Sequence, residues 1–261
     1  MHIAVQGLLF WYFSPFFWFF SPIFLMVRFL FLLVMLLPAY ARASDSEVLR
    51  HWRVGQTVSE AAVTAYGEER CFAVVEIPDS ILRLMQGRSL PKECRTDVAT
   101  LRYLRLLHRD AHGHIRLGEM VCHRDVARSL VSIFRSLYQQ AYPIERMLLI
   151  DRFGADDEQS MAANNTSCFN FRRVAGSSRL SKHALGKAVD VNPLYNPCVR
   201  RGADGKIRVS PAAGKAYADR SLPTPYRLLR DDAAHRLFRS HGFQWGGAWR
   251  SLKDYQHFEM P

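Results

Sequence analysis

Two short stretches carry side chains that can do chemistry together: Ser181-Lys182-His183-Ala184-Leu185-Gly186-Lys187-Ala188-Val189-Asp190 and Asp254-Tyr255-Gln256-His257. Zinc accepts imidazole nitrogen and carboxylate oxygen, and a catalytic site keeps one position open for water or substrate. His183, Asp190 and His257 would fill three positions around one zinc ion. Asp254 is then free to take a proton from an attacking water. That combination points to hydrolysis rather than to binding alone. Taken singly, His183 and His257 read as surface or hydrogen-bonded core histidines, and Asp190 as a turn or salt-bridge carboxylate. The set as a whole shifts that reading only modestly.

Such side chains need a scaffold that brings them together. His183 and Asp190 are seven residues apart. In one regular helix that is close to two turns, roughly 10 Å of rise, too far to share an ion. A turn at Gly186 followed by a strand through Ala188-Val189-Asp190 solves this more easily. Glycine permits the unusual dihedral or close approach such a turn needs, and Ser181 can orient the turn or a ligand. Val189 and Val191 would then face the core and Asp190 the opposite side. Trp245, Trp249 and Phe258 are candidates for excluding water around Asp254.

The remaining pattern supplies elements for that scaffold. Phe72–Ile77 reads as a short strand, and Pro78 opens a short helix over Asp79–Gln86, closed by Gly87. Leu101 and Tyr103 begin an alternating run that pairs with Ile115–Cys122 across the His112-Gly113-His114 turn, giving a hairpin. His112 and His114 read as solvated turn residues there. Val126, Leu130, Ile133, Phe134 and Leu137 recur at helical spacing within Arg124–Gln140, an amphipathic helix. Met147–Ile150 reads as an apolar strand ending at Asp151. Asp156–Ser178 reads as a long polar loop with a functional position, and residues 196–222 as a surface excursion. Asp231–His241 resumes a helix before Gly242, and His257-Phe258-Glu259 is a terminal strand or its edge.

Residues 7–37 are almost continuously apolar, long enough to cross a bilayer. Met26-Val27-Arg28, the run Phe29–Leu37 and Ala41-Arg42-Ala43 also form the three parts of an export signal. The segment is thus either a cleaved signal or an anchor, and export is favoured over a cytoplasmic location. Beyond it, enough chain remains for one domain with a real core. The formal net charge is +11, which favours anionic partners such as peptidoglycan or acidic headgroups. The export signal and the lack of an arginine-aromatic repeat argue against nucleic acid. All five cysteines lie beyond the signal. Export permits their oxidation, and Cys168 with Cys198 brackets the site segment as a candidate disulfide; Cys71 with Cys94 is a second guess. A Cys-His nucleophile lacks an activating neighbour in sequence.

The SKHALGKAVD stretch resembles the Ser-x-His-x-x-Gly-x-Ala-x-Asp pattern of the M15 family of zinc D,D-carboxypeptidases and L,D-peptidases, the VanY-like peptidases. DYQHFE is similar to the family's terminal carboxylate-x-x-His element, in the variant with Asp at the base position. Gly242-Phe243-Gln244-Trp245-Gly246-Gly247 and Asn170-Phe171-Arg172 resemble the branch that contains L-alanyl-D-glutamate endopeptidases. The resemblance implies an α+β fold, a small antiparallel sheet with packed helices (hedgehog/D,D-peptidase-like). It implies Zn2+ on His183, Asp190 and His257, with Asp254 as catalytic base. It also implies an arginine that holds substrate or polarises the reacting carbonyl. Arg172 is the choice, with Arg173 and Arg152 as competitors; the segment departs from the commoner Gly-Tyr-Arg arrangement. The expected organisation is a signal peptide or membrane anchor at 1–43, a partly helical extension at 44–100, and a zinc peptidase domain at 101–261. The expected partners are peptidoglycan or muropeptides, in the periplasm or cell envelope, with membrane association through residues 7–37. The rival readings are a non-catalytic wall-binding module of the same fold and a membrane-anchored scaffold.

Overall fold

Alternation of apolar and polar residues produces the longest hairpin, with β3 (Leu101–Arg109) and β4 (Ile115–His123) pairing residue for residue from Leu101↔His123 to Arg109↔Ile115. The computed structural model describes residues 45–174, 177–202 and 204–261. The expected signal or anchor at 1–43 lies outside the described residues. Among the described residues no helix is long and apolar enough to cross a membrane. The hairpin is flanked by β1 (Thr57–Val58) on β4 and β2 (Ala73–Val75) on β3, giving an antiparallel sheet of order β1-β4-β3-β2. Helices α1 (Glu60–Tyr66) and α2 (Asp79–Met85) lie before the hairpin in the chain. Strands from the 44–100 stretch are thus part of the same sheet as the hairpin.

The sheet is covered on both faces. Tyr103 and Leu104 are adjacent in β3 and so point to opposite sides. Leu104 joins the main core, where helix α3 (Arg124–Gln139) places Val126, Leu130, Ile133, Phe134 and Leu137. Tyr103 joins a smaller cluster with Met85, Val121, Leu149 and Phe169. α3 delivers the stripe its periodicity predicts, and helix α5 (Ala233–Ser240) packs against it.

Two smaller antiparallel sheets follow in the chain. One has the order β5-β10-β8, from β5 (Ala188–Asp190), β8 (Gln244–Trp245) and β10 (His257–Glu259). The other has the order β7-β6-β9, from β6 (Cys198–Arg201), β7 (Ile207–Ser210) and β9 (Leu252–Asp254). Phe258 of β10 stacks on Phe238 of α5 with ring centroids 4.2 Å apart, and Phe238 meets Phe134 of α3 edge-on. The strand that carries His257 is therefore nailed to the main core by its neighbour. The architecture is the expected α+β fold of small antiparallel sheets with packed helices.

Three segments differ from their sequence reading. Met147–Ile150 is not a strand. The Asn165 side-chain amide receives the Leu148 N–H at 2.8 Å and donates to the Leu148 carbonyl at 3.0 Å. A side chain thus takes the place of a ladder partner, and a 3-10 helix, Ile150–Phe153, follows. The polar loop after Asp156 contains helix α4 (Asp157–Ala162), capped by the Asp156 carboxylate on Gln159 N–H. The 196–222 excursion contains the β6–β7 hairpin and a 3-10 helix, Ala212–Ala218. Hydrogen-bonding to β9 gives that hairpin a role that its polar composition concealed.

Candidate metal centre and catalytic cleft

Ser181 starts the site. Its hydroxyl accepts the His183 N–H at 3.2 Å and caps a 3-10 helix, Lys182–Leu185. Gly186 ends that helix in the left-handed region at φ 63°. Its carbonyl accepts the His123 N–H at 2.9 Å, at the junction of β4 and α3. A Cβ on Gly186 would stand 2.6 Å from the His123 nitrogen. The turn then feeds β5, with Val189 and Val191 fully buried on one side and Asp190 on the other. Gly186→Ala combines left-handed strain of about 1–2 kcal/mol with a backbone clash. We expect the metal-free variant to be destabilised by at least that amount, read as a lower thermal midpoint. An unchanged midpoint would remove the clamp.

β10 completes the arrangement from the far end of the sequence. Its register sets His257 opposite Asp190, Phe258 opposite Val189 and Glu259 opposite Ala188. The preceding turn is held by Trp245 Nε1 donating to the Tyr255 carbonyl at 2.9 Å and by Val191 N–H donating to the Gln256 carbonyl at 3.0 Å.

His183 Nε2 lies 3.2 Å from His257 Nδ1 and 3.3 Å from Asp190 Oδ2; His257 Nδ1 lies 3.0 Å from Asp190 Oδ1. One ligand atom from each residue falls within 4.8 Å of the others, and all three residues are buried. Their other ring nitrogens are already engaged. His183 Nδ1 lies 2.6 Å from the Cys168 carbonyl, and His257 Nε2 lies 3.0 Å from Glu259 Oε2. Both partners accept, so each imidazole donates outward; His183 turns its Nε2 lone pair inward, and His257 would offer its Nδ1 lone pair on giving up the proton it shares with Asp190. Two lone pairs and a carboxylate converging on one point require a cation. Zinc accepts imidazole nitrogen and carboxylate oxygen, so His183, Asp190 and His257 would suit it.

In the metal-free protein a proton fills part of that need. Burial opposes charging of His257, but its hydrogen bonds to Asp190 and Glu259 prevail and raise it to about 10. Burial would likewise raise Asp190, yet the His183 and His257 imidazoles hold it well below the usual carboxylate range. A His257 protonated at neutral pH must lose that proton when metal binds. Zinc affinity should therefore rise with pH below about 10, by up to about tenfold per unit for one displaced proton. Titration calorimetry in buffers of different ionisation enthalpy reads the release; none at pH 7 would contradict the assignment.

Asp254 ends β9, paired by register with Cys198 of β6. Its Oδ1 is buried without a hydrogen-bond partner. Burial pushes its carboxyl up, and the neighbouring Asp190 charge adds to this, while His257 and the Gln256 side chain pull the other way. Gly246 packs beneath it, where a Cβ would come within 2.8 Å of the Asp254 carbonyl.

Asp254 shares a cleft of about 540 Å³ with His183, Asp190, His257, Arg172 and Trp249. The Arg172 guanidinium pairs with Asp157 of α4. Of the competing arginines, Arg152 is bound to Glu119 at the buried sheet face, and Arg173 is exposed and bonds the Ser178 carbonyl. Trp249 stands 5.3 Å from the His257 ring. Trp245 and Phe258 instead belong to the core beneath the site. Glu259, which sequence reasoning passed over, lies two residues beyond His257 on the same strand face.

The expected Cys168–Cys198 disulfide is absent, and so is Cys71–Cys94: all five cysteines are free thiols. Cys168 is buried with its thiol against the Gly186 carbonyl, whereas Cys198 faces Asp254 across the β6–β9 ladder. Bracketing a segment in sequence does not make two thiols face each other. Burial pushes the Cys168 and Cys198 thiols up, the latter further raised by Asp254, so neither is an activated nucleophile.

Two imidazoles and a carboxylate converging in a cleft beside an unligated acid define a zinc metallopeptidase site. Residues 175–260 match the family model described as D-alanyl-D-alanine carboxypeptidase, of peptidase family M15, and this stretch is an M15-type domain. No curated protein and no solved structure matches the chain. The activity this defines is zinc-dependent hydrolysis of the D,D-carboxypeptidase type, and the family assignment implies peptidoglycan or muropeptide substrates.

Proposed function

We propose that the protein is exported and cleaves peptide bonds in peptidoglycan stem peptides. The bond is either that before a terminal D-alanine or an internal L-alanyl-D-glutamate-type bond. What supports this reading is that Asp254, whose Oδ1 is buried without a partner, lines the same cleft as the converging His183, Asp190 and His257. These three residues would hold zinc, which supplies a Lewis acid that polarises the scissile carbonyl and makes water acidic near neutral pH. Asp254 accepts the proton of the attacking water and returns it to the leaving amine. Its raised affinity for a proton suits both halves of that exchange.

Arg172 lines the same cleft and already holds a carboxylate, that of Asp157. A substrate carboxylate or developing oxyanion can take that place through paired N–H donors. Arg172→Ala should lower kcat/KM for a muropeptide by about 10²-fold while zinc content stays at the wild-type level. Wild-type kinetics would shift the role to another arginine. Trp249 shields one wall from water. Residues 7–37 would deliver the chain across the inner membrane or hold it there, and the basic surface keeps it near anionic wall polymers.

Mass spectrometry of products from a panel of peptidoglycan fragments, with and without a chelator, tests bond and metal together. Loss of terminal D-alanine or scission at the L,D bond, abolished by chelation and restored by zinc, is the expected result. No product from any fragment with zinc-loaded protein favours the non-catalytic wall-binding module.

A further inference from the structure

The inward face of the metal centre is made by two histidines that present different nitrogens. His183 offers Nε2 and His257 offers Nδ1. A neutral imidazole has one donor and one acceptor nitrogen, so the partner of the outer nitrogen decides which lone pair points inward. For His183 that partner is backbone, the Cys168 carbonyl at 2.6 Å. It belongs to a segment tied to β5 through Ser167 and Asp190. For His257 it is a side chain, Glu259, at 3.0 Å.

Strand geometry explains why Glu259 can serve. Residues two apart on a strand share a face, so Glu259 lies beside His257 on the cleft side while Phe258 between them is buried in the core. The Glu259 side chain is 23% exposed and that of His257 8%. The carboxylate thus sits at the cleft wall, shielding the outer nitrogen from bulk water. Without it, His257 Nε2 has no other acceptor among the described residues. The ring could then turn or change tautomer, with Nδ1–H facing the position a metal would take.

We propose that Glu259 is a positioning residue. Its carboxylate accepts the Nε2–H of His257 and so commits Nδ1 to the metal. This rests on the zinc reading of the site. Carboxylates that hold a ligating histidine in this way typically contribute 10- to 100-fold in metal affinity.

The test compares the full chain with Glu259→Ala, Glu259→Gln and Glu259→Asp at one pH. Zinc affinity is read by competition with a chromogenic chelator, and site geometry by the visible absorption of the Co2+-loaded proteins. Glu259→Ala is expected to bind zinc about 10- to 100-fold more weakly and to alter the Co2+ bands. Glu259→Gln keeps an acceptor oxygen and should restore the bands and most of the affinity. Glu259→Asp is too short to reach and should resemble the alanine variant. Wild-type affinity and spectrum in Glu259→Ala would overturn the proposal, as would an affinity loss equal in all three variants with unchanged bands. If Glu259→Ala does not fold, Glu259→Gln against Glu259→Asp carries the same comparison. Failure of the wild-type chain to bind zinc or Co2+ would instead remove the metal centre itself, and the role of Glu259 with it.

Discussion

Asp254→Asn should lower turnover by about 10²- to 10⁴-fold, the usual contribution of a positioned proton-transfer group, with zinc content unchanged. The substitution keeps shape and volume, so β9 remains paired with β6 and the Gly246 contact beneath it is undisturbed. What disappears is the capacity to hold a proton between water attack and departure of the amine. Asp254 is not among the three residues whose ligand atoms converge, so metal content should survive. Steady-state kinetics on a cleavable muropeptide, paired with elemental analysis of the same sample, reads both. Equal turnover would remove Asp254 from the reaction. Loss of zinc together with activity would make it a ligand instead.

The second large effect is expected at Asp190. Asp190→Ala removes the anion between two imidazoles, and activity should fall to background because zinc is no longer retained through gel filtration. The metal-free protein should suffer too. Removing one partner of a buried charged pair typically costs about 3–5 kcal/mol. The pH window follows from the two shifted groups. The Asp190 carboxyl is depressed in the folded state, so its contribution is present above the unfolded value of about 3.9 and is lost as pH falls further. His257 is raised, so its contribution is full below about 6.5 and is lost as pH rises through about 10. The stability gap between metal-free wild type and variant should be widest between about pH 4 and 6.5. It should narrow on both sides. Chemical denaturation across pH measures it, and a flat gap would show that the pair is not charged.

The parts of the site legible in the sequence are those built by local rules. A turn at Gly186 and a strand through Asp190 follow from one glycine and alternate apolar residues, and the structure places both there. The β3–β4 hairpin and helix α3 were legible for the same reason, since their periodicity is strong and uninterrupted. Partners fixed only by tertiary pairing were not. The β6–β7 hairpin reads as a polar excursion because its Arg-Arg-Gly and Asp-Gly pattern is also that of a solvated loop. Only its hydrogen bonds to β9 reveal that it holds Asp254 in place. Glu259 gained meaning once His257 was known to be in a strand with its Nε2 turned outward. The cysteine pairing failed because the Cys168 thiol is turned to the Gly186 carbonyl while Cys198 sits opposite Asp254, which spacing along the chain does not report.

Asp190 and His257 meet across a strand pair although 67 residues separate them. The three-ligand set is therefore complete only once β10 has paired with β5. A chain caught midway through folding holds only the His183–Asp190 half of the centre. The metal-binding geometry thus arrives together with the finished fold.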